Sequence, residues 1–391
     1  MKKTLAFVAC FLLLFSAVDS VSMLSPVHAE AQATGIKGFT SPAELSISGG
    51  KTGKNQGVPF FYDVPLPEAI NQYIPGDLRG HWAESYLLHF VYSDILKGYE
   101  VSKGKYEIKP EGKITRAEFV TLLVRALGLK NEGPGIYFDD VPTDKWFYEP
   151  ISIASEKGIV NGVDAKHFAP ERYVQRDEMA VMMIRAFKGT LDQSGSLKTF
   201  TDVPADHWAK KEIDEAVKAK VINGYKDNTF LPKNPATRAE GVKMLFTALV
   251  AQNSNLPQDQ ELINTVVNMD KELLEALQVM DFELAGEILD QYSFGFNNVM
   301  GSYGLALYQE ILNKEDNHLN FTNIGDYKVD ILAKSNGIAN VKVSNVTHQI
   351  VKMKDDTIIA EYKETLNNII YLRKMADGQW KAYYNMPDVS K

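Results

Sequence analysis

The pentapeptide Ile114-Thr115-Arg116-Ala117-Glu118 returns twice, as Val174-Gln175-Arg176-Asp177-Glu178 and as Ala236-Thr237-Arg238-Ala239-Glu240. Each copy opens an apolar stretch of helical period and follows a tryptophan and a glycine at a fixed distance. Trp82 to Gly98, Trp146 to Gly162 and Trp208 to Gly224 are all 16 positions, and Pro110, Pro170 and Pro232 each stand 6 before the arginine of their copy. The tryptophans lie 64 and 62 positions apart. A supersecondary unit returning at a near-constant interval must stack on its own copies to bury a core, so the chain is first of all a tandem array.

Thr115 with Glu118, and Thr237 with Glu240, fit the capping box, in which the two side chains reciprocally satisfy amides at a helix start. That accounts for threonine and glutamate but not for arginine. At the first helical position a cation faces the positive end of the helix dipole, a penalty of roughly 0.3 to 1 kcal/mol. The same penalty in three copies predicts a compensating partner. An arginine fork beside free helix-start amides is a receptor for a carboxylate or phosphate. On that reading Arg116, Arg176 and Arg238 contact an anionic ligand. Alanine at Arg116 and Arg238 should then release the protein from that ligand and leave helicity intact.

Phe138-Asp139-Asp140-Val141 to Trp146, then Asn161-Gly162, Phe168, Pro170 and the pentapeptide, form a set that resembles the S-layer homology module. Phe200 with Asp202-Val203, His207-Trp208, Asn223-Gly224-Tyr225, Phe230, Pro232 and Thr237-Arg238-Ala239-Glu240 resemble it again. Gly80-His81-Trp82-Ala83, Gly98-Tyr99 and the first pentapeptide give a third copy. The resemblance covers about residues 74 to 250. It implies an all-α, pseudo-threefold trimer of modules that binds secondary cell-wall polysaccharide, often pyruvylated, and holds its protein on a bacterial wall. The glycan-binding residues it implies are Arg116, Arg176, Arg238, Trp82, Trp146, Trp208, Gly98, Gly162, Gly224, Tyr99 and Tyr225.

The 391 residues, 45% hydrophobic and 24% charged, predict more than one folded domain. A net charge of -8 argues against nucleic acid as a partner, so anion contacts must come from locally placed cations. Residues 1–29 read as a signal peptide: Lys2 and Lys3, an apolar run from Leu5 to Val18, and Val27-His28-Ala29 as cleavage site. Cys10, the one cysteine, lies inside it, so the mature chain is expected to have no thiol and no membrane anchor. Residues 30–59 read as a flexible leader. The modules are then expected at 60–130, 131–192 and 193–251, a linker at 252–258 and a second domain at 259–391.

In each module a helix should follow the tryptophan and another the arginine, the apolar second helices forming a central bundle. The tryptophans read first as packing between helices, with a sugar-facing role second. The three glycines read first as helix stops. Two departures stand out. From Gly98 to Pro110 is 12 positions against 8 in the other copies, and the second copy has Gln175 and Val163 where the others carry a threonine and a tyrosine. The Arg176 site is therefore the one most open to question.

After the linker, a long amphipathic helix from Leu262 to Leu277 and another from Asp281 to about Leu289 precede strands from Tyr327 onward, with Asp377-Gly378 as a hairpin turn. The order is α+β, and it weakly resembles the nuclear-transport-factor-2-like (NTF2-like) cone. His318 and His348 read as loop and strand-surface residues. No H-E-x-x-H, G-x-S-x-G or metal-spaced cluster occurs in the sequence. The expectation is a secreted, non-enzymatic protein of the Gram-positive surface, without cofactor or metal. It docks on a carboxylate-bearing glycan and displays the cone for an unnamed partner. The rival readings are an S-layer lattice subunit and a wall-associated enzyme or small-ligand binder with its site in the cone.

Overall fold

A computed structural model describes residues 67–314, 318–354 and 357–388. The expected signal segment and leader lie outside the described residues. Each repeat supplies two helices. Those after the tryptophans are α1 (Glu84–Tyr92), α3 (Tyr148–Glu156) and α5 (Lys210–Lys218), and those that the arginines open are α2 (Arg116–Leu127), α4 (Arg176–Ala186) and α6 (Arg238–Ala251).

In α5 only Ile213, Ala216 and Val217 are buried, one stripe at helical spacing. The arginine-led helices are apolar nearly all round: Met179 to Ile184 of α4 are buried without interruption. Such a helix needs neighbours on every side, and these three meet one another. A Cβ at Gly241 of α6 would lie 3.4 Å from Met179 of α4 and 3.5 Å from Phe119 of α2. Three backbone bonds tie the strands of chain entering these helices into a closed circuit: the Ile114 amide donates to Ala236, that of Ala236 to Val174, and that of Val174 to Ile114, at 3.0–3.1 Å.

The repeats are not wholly helical. The extra residues after Gly98 form an antiparallel hairpin, β1 (Tyr99–Ser102) and β2 (Lys105–Glu107), turned at Gly104 with φ 69°. Lengthening a loop by four residues gave the chain enough length for a two-residue turn and a short ladder.

The second unit has three helices, α7 (Asp259–Gln278), α8 (Phe282–Tyr292) and α9 (Gly295–Lys314), then β3 (His318–Asn323), β4 (Lys328–Lys334), β5 (Ile338–Lys354), β6 (Thr357–Lys374) and β7 (Trp380–Pro387). The antiparallel sheet runs β3-β5-β6-β7, with β4 also on β5. Asp377-Gly378 is the turn between β6 and β7, Gly378 taking φ 93°. Helices α7 and α8 were legible in advance; α9 and β3 were not. Helix α9 carries Gly295, Gly301 and Gly304, which dilute its pattern. Gly301 is there for packing: a Cβ on it would stand 2.8 Å from Leu289 of α8.

His348 corrects its reading as a surface residue. A register shift between Val343 and Val346, with Asn345 at φ 59°, exchanges the faces of β5 and brings His348 in phase with the buried side. There it is 2% exposed, its Nε2 3.4 Å from the buried carboxylate of Asp270.

The idea of a cone displayed at the end of a linker also changes. Asn253 donates to Thr190 at 3.1 Å, while Asn336 and Lys334 donate to the carbonyls of Ser254 and Pro257 at 3.2 and 2.8 Å. The linker is thus held from both sides. Phe296, Met300 and Ile338 enter the same apolar core as the repeats, and the ring of Tyr92 lies 4.6 Å from that of Phe296 and 4.7 Å from that of Tyr384. His89 Nδ1 meets the Tyr383 hydroxyl at 2.8 Å, and burial lowers the imidazole pKa to about 3, so it stays neutral. Arg373 of β6 donates to the Ser93 carbonyl at 3.0 Å. Sheet and repeats share one packed joint.

Candidate functional site

The junctions between repeats collect nearly every residue singled out above. At each one, the arginine that opens a helix is buried and reaches into the next repeat. Arg116 donates from Nε to Phe168 O at 2.9 Å and from Nη1 to Glu178 at 3.0 Å, its guanidinium 4.6 Å from the Phe168 ring. Arg176 repeats this on Phe230 O at 2.9 Å and Glu240 at 3.2 Å, and Arg238 on Ile108 O at 2.8 Å and Glu118 at 3.0 Å. The order is first to second, second to third, third to first. Arg176, the site most in question, makes the same contacts as the other two.

The compensating partner that the dipole argument demanded is therefore inside the chain. It is the capping-box glutamate of the next repeat, which satisfies its own helix start with one oxygen and the neighbour's arginine with the other. Glu118 accepts the Thr115 amide at 2.8 Å and its own amide bonds Thr115 Oγ1 at 3.2 Å; Glu240 and Thr237 do the same at 2.9 and 3.1 Å. The free helix-start amides expected beside the arginines are likewise taken. Those of Arg116, Arg176 and Arg238 donate to Arg172, Asn234 and Gly112, and the next in line to Pro170, Pro232 and Pro110, all at 2.9–3.1 Å.

Burial pushes the Glu178 carboxyl up, but the Arg172 hydrogen bond at 2.5 Å, the Gln175 amide and the charges of Arg116 and Arg172 outweigh it and hold the pKa below the usual value. A carboxyl depressed in the folded state contributes stability that is present above its unfolded pKa, about 4.3, and lost as pH falls through the folded value. The melting temperature should hold from pH 7 to about pH 5 and drop below about pH 4, and in Glu178→Gln that acid drop should shrink. Equal acid slopes in the two proteins would refute the assignment.

The glycines are positioned for close approach. Helices α1, α3 and α5 already end at Tyr92, Glu156 and Lys218, with Asp94, Gly158 and Lys220 in the left-handed region, so Gly98, Gly162 and Gly224 do not stop them. A Cβ at Gly162 would come within 2.3 Å of Asp164 O, and one at Gly224 within 2.2 Å of the Phe200 ring; at Gly98 the nearest atom, Glu107 O, is at 3.1 Å. Tyr99 and Tyr225 stack under Arg238 and Arg176, each 4.8 Å from the guanidinium, and donate to Glu118 and Glu240. Burial first, and the bond to Glu118 second, raise the Tyr99 pKa to about 12. Val163 holds that place in the second repeat and leaves an exposed apolar side chain.

The tryptophans overturn their first reading. Trp82, Trp146 and Trp208 are 50%, 60% and 56% exposed, whereas the residue after each, Ala83, Phe147 or Ala209, is buried. Packing falls to the neighbour and the indole is left in solvent. Two of them lie near a lysine: Lys243 stands 5.6 Å from the Trp82 ring and Lys233 5.7 Å from that of Trp208. Trp82 Nε1 donates to Glu111 at 3.3 Å and Trp208 Nε1 to Asp177 at 2.9 Å. Sequence reasoning missed Asp177, Lys233 and Lys243. The signal for Asp177 was present, since Ala117 and Ala239 occupy the same place in the other pentapeptides. Among the described residues no group of three His, Cys, Asp or Glu side chains gathers to hold a metal.

Residues 137–180 and 199–240 match the family model of the S-layer homology domain, the second and third repeats. The surface-layer 125 kDa protein of Lysinibacillus sphaericus is 37% identical over 34% of this chain and 11% of its own. The cellulosome-anchoring protein of Acetivibrio thermocellus is 30% identical over 40% of this chain and 36% of its own, and the exoglucanase XynX of the same species 30% over 46% and 16%. The chain thus spans between about a tenth and just over a third of the length of these relatives. A solved structure from Catenulispora acidiphila covers 33% of this chain and 96% of its own at 11% identity, with a TM-score of 0.23, too slight a likeness to carry an argument. With the pentapeptides and the tryptophan spacing, the two matched stretches identify the second and third repeats of the chain as S-layer homology domains.

Proposed function

We propose that the protein is secreted and holds itself non-covalently on a bacterial cell wall. Its three repeats act as one pseudo-threefold unit that binds carboxylate-bearing, pyruvylated secondary cell-wall polysaccharide. The observation that carries this reading is the solvent-facing tryptophan in the same place in all three repeats, with a lysine ammonium near the ring at Trp82 and Trp208. An aromatic face covers the apolar face of a sugar, and an ammonium pairs with its acid group. The arginines hold the junction walls from inside, and Lys233 and Lys243 take the charge role that the sequence assigned to the arginines. The relatives include a surface-layer protein and a cellulosome-anchoring protein, which supports wall attachment as the shared task. The chain is a binder on this reading, and the cone, packed on the repeats, extends that surface.

The test is cosedimentation of the full chain with purified sacculi, before and after hydrofluoric acid strips the wall polysaccharide. Binding lost on stripping supports the glycan as ligand. Binding that survives stripping would move the site to peptidoglycan or to a wall protein and defeat the proposal.

A further inference from the structure

The three tryptophan sites differ in what already fills them. At Trp208 the Asp177 side chain, fully buried at the start of α4, receives the indole N–H at 2.9 Å and the Lys233 ammonium at 2.9 Å through the same oxygen, Oδ2. His207 Nδ1 accepts the Ala209 amide, and its Nε2, buried and without a hydrogen-bond partner, faces Asp177 Oδ2 at 3.6 Å. The other oxygen, Oδ1, accepts the Glu178 amide at 2.8 Å, so the carboxylate is fixed on the helix itself. An indole, an ammonium and an imidazole thus converge on one carboxylate, the donor set that an acidic sugar would need.

The other two sites have no such carboxylate. Their counterparts of Asp177 are Ala239 of α6, the helix on which α1 packs, and Ala117 of α2, the helix on which α3 packs. At Trp82 the indole and the His81 ring both turn to Glu111, but its side chain is 68% exposed and can swing into solvent at the cost of surface contacts worth little. At Trp146 the indole has no hydrogen-bond partner among the described residues, and Glu171, in the place of Glu111, is exposed.

We propose that Asp177 is a built-in ligand. It occupies the anion position of the junction between the second and third repeats, so that acidic glycan is taken at Trp82 and Trp146 and refused at Trp208. An incoming carboxylate there would have to displace one that is already buried, paired and favoured by the helix dipole, and the two could not share the donors without like-charge repulsion. This inference rests on the acidic-glycan reading above.

The four indole N–H resonances of the full chain give a readout for each site, with the buried Trp380 of the cone as reference. The probe is a pyruvate-ketal methyl N-acetylhexosaminide. In the native protein the Trp82 and Trp146 signals should shift and that of Trp208 should stay. In Asp177→Asn, which keeps size and the acceptor for the Glu178 amide, the Trp208 signal should join them and calorimetric stoichiometry should rise from two to three. Asp177→Ala should behave likewise, with its melting curve as the check on folding. A Trp208 shift in the native protein, or its silence in both variants while the other two respond, overturns the role of Asp177 alone. Silence of all three junction indoles in every protein overturns the acidic-glycan reading and this inference together.

Discussion

Replacing Arg238 with alanine is expected to lower the free energy of unfolding by about 3–5 kcal/mol, the usual result of removing one partner of a buried ion pair. Arg238 is 4% exposed and serves Ile108 O, Glu118 and the Tyr99 hydroxyl, so its loss takes a donor from the carbonyl and the cation from the carboxylate in the junction that closes the third repeat on the first. Urea titration followed by circular dichroism measures the loss, and sacculus pelleting of the same variant should weaken with it. From sequence the opposite was expected: release from the wall with helicity intact. Wild-type stability with wall binding abolished would return the arginine to the ligand and remove it from the junction.

Trp146→Ala should do the reverse. Its ring is mostly in solvent and has no hydrogen-bond partner among the described residues, so stability should change by less than about 0.5 kcal/mol, as for ordinary surface substitutions. Aromatic anchors at binding sites cost about 2 kcal/mol or more when truncated, so affinity for sacculi should fall by about 30-fold. The paired measurement separates the roles: a Trp146→Ala protein that melts early would make the indole a packing residue after all.

What could be read in advance divides along physical lines. The helix starts were legible because capping is local: Thr115 and Glu118 lie within one turn, and their pattern carries its own explanation. The arginine was correctly marked as needing a compensating charge, but its partner lies 62, 64 or 120 residues away, a distance that no local pattern spans. A free ligand was therefore put in the place of the chain's own glutamate. The tryptophans failed for a different reason. Size and apolarity predict burial, but the neighbouring Ala83, Phe147 and Ala209 were equally able to face the core, and only the phase of the short helices decides between them. His348 was misplaced by one bulge, and α9 was hidden by glycines that serve contacts with α8. The α+β order, the hairpin at Gly378 and the two long apolar helices were readable because period and turn chemistry are again local.

The circuit through Ile114, Val174 and Ala236 sets an order of events in time. Two of its links join neighbouring repeats and can form as soon as the second of each pair has emerged from the ribosome. The last link cannot: Arg238 must find carbonyls and a hydroxyl 130 to 141 residues behind it, so the first repeat waits, half-paired, until the third exists. Long-range closure of this kind is slow relative to helix formation. The nascent protein therefore passes through an open arc with one unmatched edge at each end, and two such arcs brought together could join edge to edge before either has closed on itself.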